Sequence, residues 1–159
     1  MTFRMWLCLR SLNSPKHLTI SDSSLSFSSS PHELPSVSRL SAKGVTSQCF
    51  EGLISSLPGL EIIDITMDDA EGDIAHYTAG LRRTAAQKLN HIYLSGPSPL
   101  LPERSRVSRE TMRGLGLFIK EHTQNLQELC LRWVKCTNEY DLVYLIDCCR
   151  HVKAMKHVW

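Results

Sequence analysis

The chain has 159 residues, is 42% hydrophobic and carries a formal net charge of +2 at pH 7. That is the length of one domain, with enough apolar surface for a packed core. The near balance of charge excludes a surface built to coat a polyelectrolyte: only Arg104, Arg106 and Arg109 cluster, so no nucleic-acid partner is expected. No run approaches the roughly 18 apolar residues of a membrane helix, so no membrane partner is expected either.

In chain order, Phe3 to Leu9 reads as a first strand and Pro15 to Ile20 as a second, with Leu18 and Ile20 at the apolar positions. An irregular or frayed cap over 1–20 is the alternative. Met5 to Leu9 is too short for the apolar centre of a signal peptide and no small-residue cleavage site follows it. No Asn-x-Ser/Thr acceptor occurs in the chain, so a cytoplasmic location is expected. Eleven of the residues from Ser21 to Ser47 are serine, interrupted by Pro31 and Pro35. Such a stretch lacks the apolar surface that offsets ordering entropy. A long loop, ordered or disordered, is therefore expected over 21–46, with the folded repeats confined to 47–159.

Phe50, Leu53, Ile54 and Leu57 follow the spacing of an amphipathic helix, with Ser47 as its N-cap and Pro58-Gly59 as its stop. Leu60-Glu-Ile-Ile63-Asp-Ile65 is a strand by its β-branched alternation. Asp68, Asp69, Glu71 and Asp73 precede the next helix and suit the positive end of its dipole. A calcium loop is the alternative, although the ligand spacing and the closing glutamate are missing. Ile74, Tyr77, Thr78, Leu81 and Ala85 form the inner stripe of a helix from about Asp73 to Lys88, and Leu89 to Leu94 is the next strand.

After a longer loop from Ser95 to Arg106, Ser108 caps a helix with Met112, Leu115, Phe118 and Ile119 inward. Gly114 and Gly116 weaken that helix, and close packing against a strand is the expected compensation. Leu126-Gln-Glu-Leu129-Cys-Leu131 is a strand. Asn138 caps a last helix, with Leu142, Leu145, Ile146 and Cys149 inward, and Val152 to Met155 opens one more strand.

Three strand starts, Leu60/Ile63/Ile65, Leu89/Ile92/Leu94 and Leu126/Leu129/Leu131, share one spacing, and each adjoins an amphipathic helix. This pattern resembles the ribonuclease-inhibitor class of leucine-rich repeats and, within it, the C-terminal repeats of NOD-like receptors, the cytosolic innate immune sensors. The resemblance covers about Ser47 to Trp159. It implies an α/β solenoid, a horseshoe with parallel strands on the concave face and helices on the convex face. It also implies a protein-binding role without enzyme activity.

The turn positions depart from that class: Asp68, Pro97 and Val134 stand where Asn or Cys is usual, and His157 fills an apolar slot. A plain α/β domain with coincidental spacing, of unknown and conceivably enzymatic function, is the alternative. No G-x-x-x-x-G-K-[ST] occurs, so under the resemblance the chain lacks the ATPase part and is a fragment or short relative that assembles with a longer receptor.

Side chains alternate along a strand, so the residues between the leucines face outward. Aligning the three strands sets Glu61, Asn90 and Gln127 in one row and Asp64, Tyr93 and Cys130 in another. Thr66, Ser95 and Arg132 form a third, and Met67, Gly96 and Trp133 the next. Tyr93, Arg132 and Trp133 are the residue types that anchor protein interfaces, with Asp64 and His91 at the margin. Packing of Trp133 on a neighbouring turn is the competing reading.

No catalytic, cofactor or metal residue is expected. His76, His91 and His122 belong to no nucleophile motif. The spacing of Cys130, Cys136, Cys148 and Cys149 is not a usual zinc pattern, and Cys8, Cys49, Cys130 and Cys149 are expected to be buried thiols. The uncovered last strand offers an edge for self-association.

Overall fold

Short apolar alternation sets the architecture. The strands His17–Ser21, Arg39–Lys43, Ile62–Thr66 and His91–Ser95 each carry two buried apolar residues separated by one polar or half-buried residue, which gives one inward and one outward face. In the computed structural model, residues 15–21, 33–45, 47–83, 88–97, 100 and 102–158 are described. The chain is α/β, with a parallel sheet of six strands: β1 (His17–Ser21), β2 (Arg39–Lys43), β3 (Ile62–Thr66), β4 (His91–Ser95), β6 (Glu128–Arg132) and β8 (Ala154–Val158). A second, two-stranded parallel pair joins β5 (Arg106–Val107) to β7 (Lys135–Cys136).

The six strands lie in chain order, each parallel to the last. Ile62, His91, Glu128 and Ala154 face one another in register, as do Asp64, Tyr93, Cys130 and Lys156. Among the described residues four α-helices lie between strands: α1 (Ser47–Ser55), α2 (Ala70–Arg83), α3 (Arg109–His122) and α4 (Glu139–Cys148). Each packs against the helix before it.

One face of the sheet makes the core with the helices. Leu18 and Ile20, Leu40 and Ala42, Ile63 and Ile65, Ile92 and Leu94, and Leu129 and Leu131 are all buried. They meet Phe50, Leu53, Ile74, Tyr77, Leu81, Met112, Leu115, Phe118, Ile119 and Leu145 in one cluster. Apolar area removed from water at about 25 cal/mol per Å² drives this layering. Parallel sheets are usually covered on both faces. Here the alternate strand residues on the other face stay mostly half-buried or exposed.

Helix starts are fixed by polar caps. Asp69 accepts from the amides of Glu71 (3.0 Å) and Gly72 (3.4 Å), while Asp73 accepts from those of Asp68 (2.8 Å) and Asp69 (3.1 Å). This reciprocal cap starts α2 at Ala70, earlier than the expected Asp73. Ser108 accepts from Thr111 N at 3.2 Å and Asn138 from Tyr140 N at 3.0 Å, both as expected. Glu71 of α2 also accepts from the Ser108 amide and, at 3.0 Å, from the Thr111 hydroxyl, tying two helix starts together.

Several expectations need correcting. The loop expected over 21–46 contains β2, and Leu34 and Val37 are buried beside it. Leu40 and Ala42 fill the gap between Leu18/Ile20 and Ile63/Ile65, so a short alternation outweighed the serine-rich surroundings. Among the described residues the sheet therefore begins at β1, and a boundary at 47 falls inside it. The first strand expected at Phe3 to Leu9 and the burial expected of Cys8 and Cys49 lie outside the described residues and side chains, as do Ala85 and the Ser47 cap.

Gly116 packs against α4 rather than a strand: an added Cβ would sit 3.1 Å from both Cys148 Sγ and Tyr144 Cε1. Gly114 has nothing within 4 Å. Ile146, expected inward, is 50% exposed, while Asp141 and Cys148 are buried.

Candidate functional site

The open face of the sheet gathers the candidate residues. On β4, His91 and Tyr93 occupy successive outward positions, and their rings stack with centroids 6.2 Å apart and 16° between planes. On β6, Glu128 and Arg132 flank Cys130 on the same face. The Arg132 guanidinium carbon lies 5.6 Å from the Tyr93 ring centroid, within range of a cation–π contact. The Tyr93 hydroxyl donates to Glu128 Oε2 at 3.3 Å. From β8, Lys156 Nζ donates to Glu128 Oε1 at 2.7 Å. The result is a continuous chain of contacts, His91–Tyr93–Glu128–Lys156, with Arg132 laid over its centre.

Electrostatics follow from that geometry. The hydrogen bond from Lys156 holds the Glu128 carboxyl below its usual range, against a smaller opposing push from burial. The same bond raises the Lys156 ammonium. Burial pushes the Tyr93 phenol up, and the neighbouring Glu128 charge adds to it. At neutral pH the cluster therefore holds a neutral phenol bonded to a carboxylate, with Arg132 over the ring and Lys156 on the carboxylate's other oxygen.

The five expected residues are not all brought together. His91, Tyr93 and Arg132 form the contact chain. Asp64 sits beside Tyr93 in register, but its carboxylate faces the other way, 3.7 Å from Arg39 Nη2. Trp133 lies one residue beyond the six-strand ladder, 38% exposed, with φ at +52° and its amide bonded to Val158 O at 2.7 Å. Arg39, Glu128 and Lys156 were missed. Glu128 and His91 follow from the same alternation that gave Tyr93, applied one outward position earlier. Arg39 lay in the stretch read as loop, and Lys156 in the stretch read as a doubtful last unit.

The row Glu61, Asn90 and Gln127 sits at the entry to the strands. There its main chain extends the ladder: Asn90 N bonds Glu61 O at 2.9 Å and Gln127 N bonds Asn90 O at 2.7 Å. Its side chains line a polar depression of about 540 Å³ shared with Lys88, His151 and Lys153. Met67, placed in the outermost row, is buried instead.

Among the described residues no group of three or more His, Cys, Asp or Glu side chains is arranged to hold a metal. Cys130, Cys136, Cys148 and Cys149 are free thiols, and burial pushes the Cys149 thiol up to about 12. His91 Nδ1 bonds Asn90 Oδ1, and the His122 ring stacks on Phe118 at 5.8 Å. No helix among the described residues is long and apolar enough to cross a membrane. Compared with protein-family models, curated proteins and solved structures, the chain matches none.

Proposed function

We propose that the chain is a non-enzymatic protein-binding module of the leucine-rich-repeat kind, with the open face of its sheet as the recognition surface. Supporting the repeat reading is the parallel sheet, whose six strands add one beside another in chain order while each described helix packs on the one before. In that reading the strands line the concave side of a short horseshoe. The setting implied by the sequence resemblance is cytoplasmic, as the sensing or regulatory part of an innate immune receptor-like protein.

The observation that carries the binding reading is the linked cluster of His91, Tyr93, Glu128, Arg132 and Lys156 on a surface that none of the described helices covers. An aromatic ring held between a carboxylate and a guanidinium is preorganised, so little side-chain freedom is lost when a partner covers it. The strand residues of this face include four fixed cations, Arg39, Lys43, Arg132 and Lys156, against two carboxylates, Asp64 and Glu128. The matching partner is an acidic protein segment.

The test is fluorescence anisotropy of the intact chain with a labelled Glu-rich peptide and, separately, a Lys-rich peptide. The expected result is binding of the acidic peptide alone, weakening as salt rises, and reduced about tenfold or more by Tyr93→Ala or Arg132→Ala with the thermal midpoint retained. Equal affinity for both peptides, or unchanged affinity in both variants, would remove the open face as the site.

A further inference from the structure

We infer that the polar depression at the strand entries is a second binding site, and that it takes a small polyhydroxylated phosphate monoester. The inference rests on the register of the sheet, not on the open-face reading.

The ladder builds the floor of this site. Glu61, Asn90, Gln127 and Lys153 each stand one residue before a strand, and those strands are in register. The amide that opens each strand bonds the carbonyl of the neighbouring row residue: His91 to Glu61 at 3.2 Å, Glu128 to Asn90 at 3.1 Å and Ala154 to Gln127 at 2.9 Å. These carbonyls are spent on the ladder, so the side chains of the row are what meet a ligand. Neighbouring strands lie about 4.8 Å apart, which sets Glu61 and Lys153 roughly 14 Å from each other at the two ends of the row.

Charge divides the lining. Lys88, just before β4, and Lys153, just before β8, both line the depression. Their strands are two spacings apart, roughly 10 Å, and β6 lies between them. The long stems of the two lysines therefore reach a group held over Gln127. Elsewhere cations are matched: Arg39 with Asp64, Lys156 with Glu128, Arg109 with Asp141 and Arg150 with Asp147. Among the described residues no ion pair engages Lys88, Lys153 or Glu61. Two unpaired ammonium groups that converge on one space repel each other, and an anion between them removes the repulsion. Phosphate oxygens accept such charge-assisted bonds well.

The remainder of the lining selects what the phosphate carries. Gln124 and Gln127 present carboxamides that donate and accept, and the Glu61 carboxylate only accepts. Asn90 Oδ1 is engaged by His91 Nδ1, which leaves its amino group as a donor. Hydroxyl groups complement this mixture. The single apolar side chain in the lining is Leu126, and it is only 2% exposed. A nucleobase or an acyl chain finds no surface to cover there. A volume of about 540 Å³ exceeds what a bare phosphate fills, so the hydroxyl-bearing part has room towards Glu61.

Calorimetric titration of the intact chain with five probes tests this: inorganic phosphate, glycerol, glucose, glycerol 3-phosphate and glucose 6-phosphate. The expected result is that at least one ester binds at a single site and more tightly than inorganic phosphate, that its affinity falls as salt rises, and that glycerol and glucose do not bind. Lys88→Ala and Lys153→Ala each weaken the ester fivefold or more. Glu61→Gln weakens the ester but not inorganic phosphate. All three side chains are exposed, so the thermal midpoint is retained in each variant. Esters that bind no more tightly than inorganic phosphate, or an affinity unchanged in both lysine variants, would overturn the inference. Arg132→Glu, on the open face, leaves ester binding unchanged; a loss there as large as in the lysine variants would place the ester on the open face and overturn it too. The acidic peptide binds the lysine variants as it binds the wild type, so failure here and failure of the binding reading are separately visible.

Discussion

Gly96 and Trp133 meet main chain to main chain. The Gly96 amide donates to Arg132 O at 2.8 Å, and a Cβ on Gly96 would stand 2.4 Å from the Trp133 carbonyl oxygen. Trp133 itself is in the left-handed region, at φ +52°, where an L side chain is strained. The contact fixes the turn after β4 against the turn after β6. Gly96→Ala must displace backbone, not the tip of a flexible side chain. Its expected cost is about 1–3 kcal/mol, read by urea denaturation. A loss below ~0.5 kcal/mol would mean that the two turns are not locked.

Leu145 and Ile146 are neighbours on α4 with opposite surroundings, 0% and 50% exposed. Leu145→Ala leaves a cavity in the core and costs about 2–5 kcal/mol. Ile146→Ala removes a half-solvated side chain and costs under ~1 kcal/mol, measured by urea denaturation. Equal costs would contradict the orientation of α4.

Glu128 and Lys156 set an acid-side and a base-side dependence. Glu128 is held below its usual 4.5 by Lys156, so its contribution is present above that value and is lost as pH falls through the lower folded value. Lys156 is held above its usual 10.5, so its contribution is present below that value and is lost as pH rises through the higher one. Glu128→Gln should flatten the stability curve below pH 4.5, and high salt should shrink the difference from wild type because the pair is solvent-facing. An unchanged acid limb would show that the pair does not form.

Cys149 gives a test of burial. Its thiol is pushed from the usual 9.0 to about 12, chiefly by burial, with a smaller contribution from Cys148. The folded state holds that proton more tightly than the unfolded state. The contribution is therefore complete below pH 9 and declines as pH rises from 9 towards 12. At pH 8 the thiolate is the reactive form and is scarce, so Cys149 should alkylate far more slowly in the native chain than in urea. Peptide mass spectrometry after timed iodoacetamide labelling measures this directly; equal rates would place the side chain in solvent.

Register was the part of the fold most open to reading from sequence. Because side chains alternate with a period of two, the paired apolar residues at Ile63/Ile65, Ile92/Leu94 and Leu129/Leu131 dictate which residues stand side by side. Asp64, Tyr93 and Cys130 do so. The caps at Ser108 and Asn138 were legible for the same local reason. β2 was not, since two apolar residues in a serine-rich stretch carry little signal until neighbouring strands supply the surface they bury. Ile146 was misjudged because helical spacing marks an apolar stripe without saying whether another helix covers its flank. In the candidate site, Tyr93 and Arg132 were visible as residue types, whereas Glu128 and Lys156 matter through partners on other strands.

The chain-order sheet has a consequence for how the fold is lost. Among the described residues each strand of the six-stranded sheet hydrogen-bonds only to the sheet strands that come before and after it along the chain, with β5 and β7 paired apart, so no strand from a distant part of the chain clamps either margin. Opening can start at a margin and advance strand by strand, with the segment from β3 to β6 protected longest against hydrogen exchange. Refolding, in turn, can nucleate on any adjacent helix-backed pair and spread both ways, because no such pair waits for the chain's two halves to find each other.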